Sequence, residues 1–157
     1  MSVDSSVIER VITIDAPRET VFRLLTDGRE WVRWKGERAE LEPRPGGLFR
    51  VIFPNHTDIV SGRFVEVDAP RRVVFTWGWE NSEHVPPGTS RVEIDLEPVG
   101  SGTRVRLVHT GLPMPAIARH AEGWDFFLPR LVAVAEGRLA GSDDAHHTSA
   151  AIKEKGS

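Results

Sequence analysis

The chain lacks cysteine and tyrosine altogether. Without cysteine there is no disulfide framework, no thiol nucleophile and no thiolate metal site. Without tyrosine, any acid–base chemistry falls to His, Asp, Glu or Lys. The balance of 20 Lys+Arg against 23 Asp+Glu gives a net charge of -3, and the arginines are scattered among acids, so no basic field exists for a phosphate backbone. Residues 1–6 are polar with no apolar h-region, and no later run approaches the roughly 18 apolar residues of a membrane span. These absences are read as a soluble cytoplasmic protein for which neither nucleic acid nor membrane is an expected partner. The usual motifs of hydrolases, zinc proteases, kinases and dehydrogenases are missing as well: no Gly-x-Ser-x-Gly, His-Glu-x-x-His, P-loop or dinucleotide fingerprint occurs.

What is present, in 157 residues, is the pattern of one domain. Val7 to Ile14 alternate as a strand. A helix follows, with Pro17 suited to its first position, Glu19 in its first turn and Thr26-Asp27-Gly28 as its stop, Gly28 at the C-cap. A second short helical piece carries Trp31 and Trp34 on one face as core anchors. Pro43 to Gly47 reads as a turn. Strands are expected at Leu48–Phe53, Ile59–Val67, Arg72–Trp79, Arg91–Leu96 and Thr103–Thr110, the last two joined by a tight Gly100-Ser101-Gly102 hairpin. Val73, Phe75, Trp77 and Trp79, then Val92, Ile94 and Leu96, then Val105 and Leu107 share one face. Arg91, Glu93, Asp95, Arg104 and Arg106 share the other, the mark of an antiparallel sheet wet on one side.

The chain then turns helical from about Pro115 to Leu139. At about 100° per residue, Ile117, Ala121, Trp124, Leu128, Leu131, Ala135 and Leu139 form one apolar face, with Arg119, Glu122, Arg130 and Glu136 on or near the other. Phe126 falls on the polar side. Pro129 lacks an N–H and crowds the carbonyl of Asp125, so a bend is expected between them. Strands first and one apolar helix last suggest an α+β fold in which a sheet grips a helix around a pocket. Residues 1–6 and 141–157 are too polar to bury apolar area and are expected to be flexible, flanking a domain at 7–140.

The ordered set Ala16-Pro17-Arg18-Glu19, Val21-Phe22, Leu25-Thr26-Asp27, Trp31, Trp34, Gly62, Pro70, Val74-Phe75-Thr76-Trp77, Gly102-Thr103, His109, Gly111, His120, Gly123-Trp124, Leu128 and Leu131 resembles the START-like, or SRPBCC, superfamily. Its narrower likeness is to the bacterial branch named after the C-terminal domain of the ATPase activator of the ninety-kilodalton heat-shock chaperone. Pro129 departs from the family's more usual last helix. The resemblance implies the helix-grip fold: a curved antiparallel sheet around a long C-terminal helix, with two short helices after the first strand. For function it implies several activities: binding of apolar ligands, polyketide cyclisation or chaperone stimulation. Fold alone does not choose among them.

The residues expected to line a pocket between sheet and helix are Phe75, Trp77, Trp79, Ile94, Leu107, His109, His120, Trp124, Leu128 and Leu131. The large rings either wall a cavity or fill it. His109 and His120, whose side-chain pKa lies near neutrality, either flank the pocket for proton transfer or bond and pack as structural residues. Arg10 and Arg63 are candidates to greet an acidic head group, and the Glu80–Gly88 loop with His84 reads as a lid or an ordinary long loop. His146-His147 is a weak metal scrap, and Asn55-His56-Thr57 a sequon of no consequence without secretion. No cofactor, metal or catalytic residue is assigned.

The leading reading is a non-enzymatic carrier or sensor of a small apolar or amphipathic molecule, working as a monomer or weak homodimer. A cyclase or dehydratase using His109 or His120 with Glu80 or Asp125 is one alternative, and a chaperone-stimulating module is another. Because Ser142 to Ser157 offers only Ile152 as a large apolar residue, deleting this segment should leave the melting temperature nearly unchanged. A drop of several degrees in a thermal melt, about 1 kcal/mol or more, would mean that it docks on the domain.

Overall fold

The computed structural model describes residues 7–55 and 57–137. The expected flexible ends, Leu139, His56 of the sequon and His146-His147 lie outside the described residues. Strand β1 (Ile8–Ile14) leads into helices α1 (Arg18–Thr26) and α2 (Gly28–Trp31). Strands β2 (Arg38–Leu41), β3 (Leu48–Ile52), β4 (Ile59–Asp68), β5 (Arg72–Trp79), β6 (Ser90–Val99) and β7 (Gly102–Thr110) follow, and α3 (Met114–Ala135) ends the order. All strand pairs are antiparallel, in the order β1-β7-β6-β5-β4-β3-β2, one curved seven-stranded sheet with α3 against its inner face. This is the α+β helix-grip arrangement.

The sheet closes on β1 because β1 and β7 pair along their length, Ile8 opposite His109 and Ile14 opposite Thr103. Period-two alternation makes the inner face. Phe75, Trp77, Val92, Ile94, Val105 and Leu107 are all buried, and Phe49 stacks on Phe75 with ring centroids 4.1 Å apart. On the outer face charges of opposite sign sit across strands. Arg72 bonds Glu66, Glu93 and Asp95, while Arg104 bonds Glu97 and Arg106 bonds Glu9. Alternating signs keep that face wet without a single-sign field.

Several local expectations need correction. Pro17 is the N-cap rather than the first helical residue, its carbonyl accepting from Thr20 and Val21. Asp27, not Gly28, terminates α1. The Asp27 side chain accepts the Arg29 N–H at 2.9 Å and so opens α2 at the same residue. Trp34 lies in the turn beyond α2, fully buried with Trp31, and donates its indole N–H to the Leu24 carbonyl. Strand β2 was not foreseen. It is short, half polar and at the sheet edge, and it pairs only with β3. The last helix stops at Ala135, short of Leu139, because Gly137 takes a φ of +83°, the left-handed residue that ends many helices.

Helix α3 carries Pro129, where the sequence predicts a bend, inside its continuous span. Its buried face includes Trp124, Leu128 and Leu131 as expected, but also Phe127 and Arg130. Arg130, placed on the polar side by angle, is only 9% exposed and donates Nε–H to the Trp34 carbonyl at 3.0 Å. Its guanidinium ties the helix to the α2 turn. Phe126 is half-buried and packs against the core.

Where β5 ends, Gly78 lets the following loop fold back over the strand. A Cβ there would collide with the Pro86 carbonyl. Gly78→Ala should therefore destabilise the domain by about 1–3 kcal/mol in urea unfolding, as overpacking does. An unchanged midpoint would mean that the loop moves freely away from β5.

Candidate functional site

The loop after β5 forms the wall of a cleft of about 670 Å³. Its lining comes from the β3–β4 turn (Thr57, Asp58), the end of β5 and its loop (Trp79 to Val85), and the start of α3 (Pro113, Pro115, Ala116, Arg119, His120). These segments are far apart in sequence and each is fixed locally. Asn55 holds the turn, its Oδ1 accepting from Thr57 and Asp58 N–H groups and its Nδ2 donating to Asp58. In the loop, Ser82 Oγ accepts the Val85 N–H at 3.0 Å, while the Val85 carbonyl accepts from Trp79 N–H at 2.7 Å. The Glu80–Gly88 segment thus overhangs the sheet end as an ordered wall.

Of the ten residues expected at a pocket, Trp79 and His120 line this cleft. Phe75, Trp77, Ile94, Leu107, Trp124, Leu128 and Leu131 belong to the continuous apolar core beneath it, and His109 is buried among them with no exposure. The two cleft residues bond each other: Trp79 Nε1–H donates to His120 Nε2 at 2.9 Å, and His120 Nδ1–H donates to the Ala116 carbonyl at 2.9 Å. That network fixes a neutral imidazole with its proton on Nδ1.

His109 is locked the same way one layer deeper. Trp124 Nε1–H donates to His109 Nδ1 at 3.0 Å, so the opposite nitrogen, Nε2, carries the proton and bonds Ser90 Oγ at 2.8 Å. Ser90 in turn donates to the Trp77 carbonyl. The histidine rings lie 5.6 Å apart edge to face. The sequence placed them in one space, and they are there, each accepting an indole N–H.

The residue that sequence reasoning missed is Lys35. Only 4% exposed, it points its ammonium into the core, 3.7 Å from the Phe127 ring centroid and 5.2 to 5.5 Å from those of Phe53, Trp77 and Trp124. A ring face attracts a cation through its quadrupole. The only available signal was position, one residue after buried Trp34, whereas composition sends a lysine to solvent.

The buried cation shapes the titration of both imidazoles. Burial pushes the His109 pKa well below its ordinary value near 6.5, with His120 and Lys35 adding to the fall. Burial likewise brings His120 down to about 4 against the opposing Ala116 bond, and the charges of Lys35 and Arg119 add to the drop. The carboxylates considered as partners are engaged elsewhere. Glu80 bonds Arg50 and is held below its usual range by it, and Asp125 bonds Arg10. Arg10 is therefore a tie between β1 and α3, and Arg63 is exposed, its backbone N–H bonded to Thr76. Among the described residues no group of three or more His, Asp or Glu is placed to hold a metal ion, and no helix is long and apolar enough to cross a membrane.

Because the folded pKa of His120 is depressed, the unfolded chain takes up this proton first, and stability falls as pH drops from about 6.5 towards 4. Between pH 7 and pH 5 His120 alone should remove about 2 kcal/mol of unfolding free energy, with His109 acting in the same direction. Urea unfolding of the protein and of His120→Gln at the two pH values checks this. The variant should show a flatter pH dependence by about that amount.

The family model of the Activator of Hsp90 ATPase homolog 1-like protein matches residues 15–136. Among solved structures, the AHSA1-like protein of Rhizobium etli is 44% identical, with a TM-score of 0.68 over 87% of this chain and 86% of its own. An HSP90 activator from Plasmodium falciparum (24% identity, TM-score 0.67, 80% and 93% coverage) and the Aha1 dimer from Colwellia psychrerythraea (19%, 0.72, 83% and 96%) share the fold alone. No curated protein matches the chain significantly. Family match and fold agree: the chain belongs to the AHSA1-like family of the SRPBCC superfamily.

Proposed function

We propose that the protein binds a small apolar or amphipathic molecule in the cleft between the sheet end and the start of α3, as a non-enzymatic carrier or sensor. The observation that carries this reading is the 670 Å³ cleft floored by the half-buried Trp79 indole and the neutral His120. Its size and its mixture of a ring, prolines and a few polar groups suit a small organic ligand. Phe75, Trp77, Ile94, Leu107, His109, Trp124, Leu128 and Leu131 back this floor and hold it in place. The carrier works in the cytoplasm as a monomer or weak homodimer, the latter supported by the dimer of the Colwellia relative.

The cyclase or dehydratase alternative is supported less well. It needs an acid and a base converging on the ligand, but both imidazoles are held neutral by indole donors and Glu80 and Asp125 are ion-paired. Chaperone stimulation is supported by the family, that of the Activator of Hsp90 ATPase homolog 1-like protein, and by the Plasmodium relative, an HSP90 activator. No feature of the cleft speaks for it.

Trp79→Ala should weaken binding of an apolar fluorescent probe by about 1–3 kcal/mol through lost buried area, while His109→Gln, which does not line the cleft and keeps an oxygen to accept the Trp124 indole N–H, should change affinity little. Titration with circular dichroism as a check on folding measures both. A substrate whose conversion is abolished by His120→Gln without loss of binding would replace the carrier reading by the enzymatic one.

A further inference from the structure

The charges that line the cleft are not equally committed. Glu80 is held by Arg50 at 2.8 Å, and Asp58, only 5% exposed, accepts the Asn55 side-chain amide at 2.7 Å. Glu83 is exposed on the loop, where salt screens its charge beyond about 8 Å. Arg119 differs from all three. It is half-buried, and among the described residues its guanidinium has no hydrogen-bond or ion-pair partner.

Its place in α3 turns it towards a ligand. Ala116, Arg119 and His120 are three and four residues apart, so they share one side of the helix, and all three line the cleft. Arg119 is close enough to the floor for its charge to help keep His120 neutral. On the loop wall, Ser82 Oγ spends a lone pair on the Val85 N–H, which leaves its hydroxyl proton without an acceptor among the described residues. The acceptors sheltered from solvent, Asp58, Glu80 and His120 Nε2, are all taken. The uncommitted groups of the sheltered cleft are thus donors, and the stronger of them is a cation.

A ligand that answers this pattern accepts hydrogen bonds and carries negative charge. One planar guanidinium matches one carboxylate through two parallel N–H···O bonds. A phosphate dianion would bring a second charge that no uncommitted cation of the cleft meets. The Trp79 ring with Pro113 and Pro115 supplies an apolar side. The sequence offered Arg10 and Arg63 for an acidic head group, but Arg10 is tied to Asp125 and neither lines the cleft.

Resting on the ligand-binding reading above, we propose that the bound molecule is an amphipathic carboxylate, its head group held by Arg119 on the α3 side of the cleft and its apolar body lying on Trp79.

The test compares 2-naphthoate, 2-naphthylmethanol and 2-naphthylmethylamine, which share one apolar body and differ in the charge they present, by calorimetric titration of the full-length protein. Naphthoate should bind about tenfold more tightly than the alcohol, with the amine weakest, and the preference should shrink as salt is raised. Arg119→Gln should abolish the preference yet still bind the alcohol, and Arg119→Glu should reverse it in favour of the amine, which a merely structural role would not do. In the unaltered, nitrogen-15-labelled protein, naphthoate should move the Arg119 Nε–H resonance and the alcohol should not, a readout independent of how the variants fold. Equal affinity for naphthoate and alcohol, tighter binding of the amine, an unmoved Arg119 signal or a preference that survives Arg119→Gln overturns the carboxylate assignment while leaving ligand binding intact. If none of the three probes binds, the ligand-binding reading fails, and this assignment with it.

Discussion

Two hydrogen bonds from tryptophan to histidine decide how the last helix sits on the sheet. Apolar burial drives α3 onto the inner face but is non-directional, so it alone fixes neither rotation nor depth. The Trp124–His109 bond joins α3 to β7, and the Trp79–His120 bond joins β5 to α3. Both imidazoles are buried, so a rotation of the helix that broke either bond would strand a donor and an acceptor away from water. The cleft inherits its shape from this lock, because His120, Ala116 and Arg119 reach it from the same helical turns.

Lys35 gives that lock its electrostatic character. A cation taken from water into a protein interior carries a penalty of several kcal/mol, and the faces of Phe127, Phe53, Trp77 and Trp124 are part of what offsets it. Burial keeps the two imidazoles neutral and able to accept from indoles, and the same charge adds to that effect. The aromatic wealth of β5 and α3 is thus more than filling: it supplies the ring faces for a cation and the N–H donors for two bases.

What was legible in the sequence was periodic. The alternation of Phe75, Trp77 and Trp79 and of Val92, Ile94 and Leu96 gave strands and their inner face, and the 3.6-residue stripe through Trp124, Leu128 and Leu131 gave the helix. His109 and His120 could be brought into one space by parity and angle. What stayed hidden depends on contacts rather than period. Arg130 reads as solvent-facing by helical angle and Lys35 stands in no periodic pattern, yet the first bonds a buried carbonyl and the second is caged by rings. β2 is four residues long and half polar, too little for alternation to register. The cleft is built where two remote loops and the start of α3 meet, and no window of sequence contains it.

The arrangement bears on why the proposed binding role is better supported than proton transfer. A general base must lose and regain a proton at the working pH, which favours a pKa near that pH and a free lone pair. Neither imidazole has these: His120, at about 4, spends its lone pair on Trp79, and His109, lower than its usual value, spends its own on Trp124. Releasing His120 for chemistry would require breaking the Trp79 bond that forms the cleft floor, so a competent base and an intact floor exclude one another. A binding site has no such conflict. Its floor can be rigid and neutral, the neighbouring cation can remain buried, and the lone pairs that catalysis would need instead hold the walls of the proposed site in place.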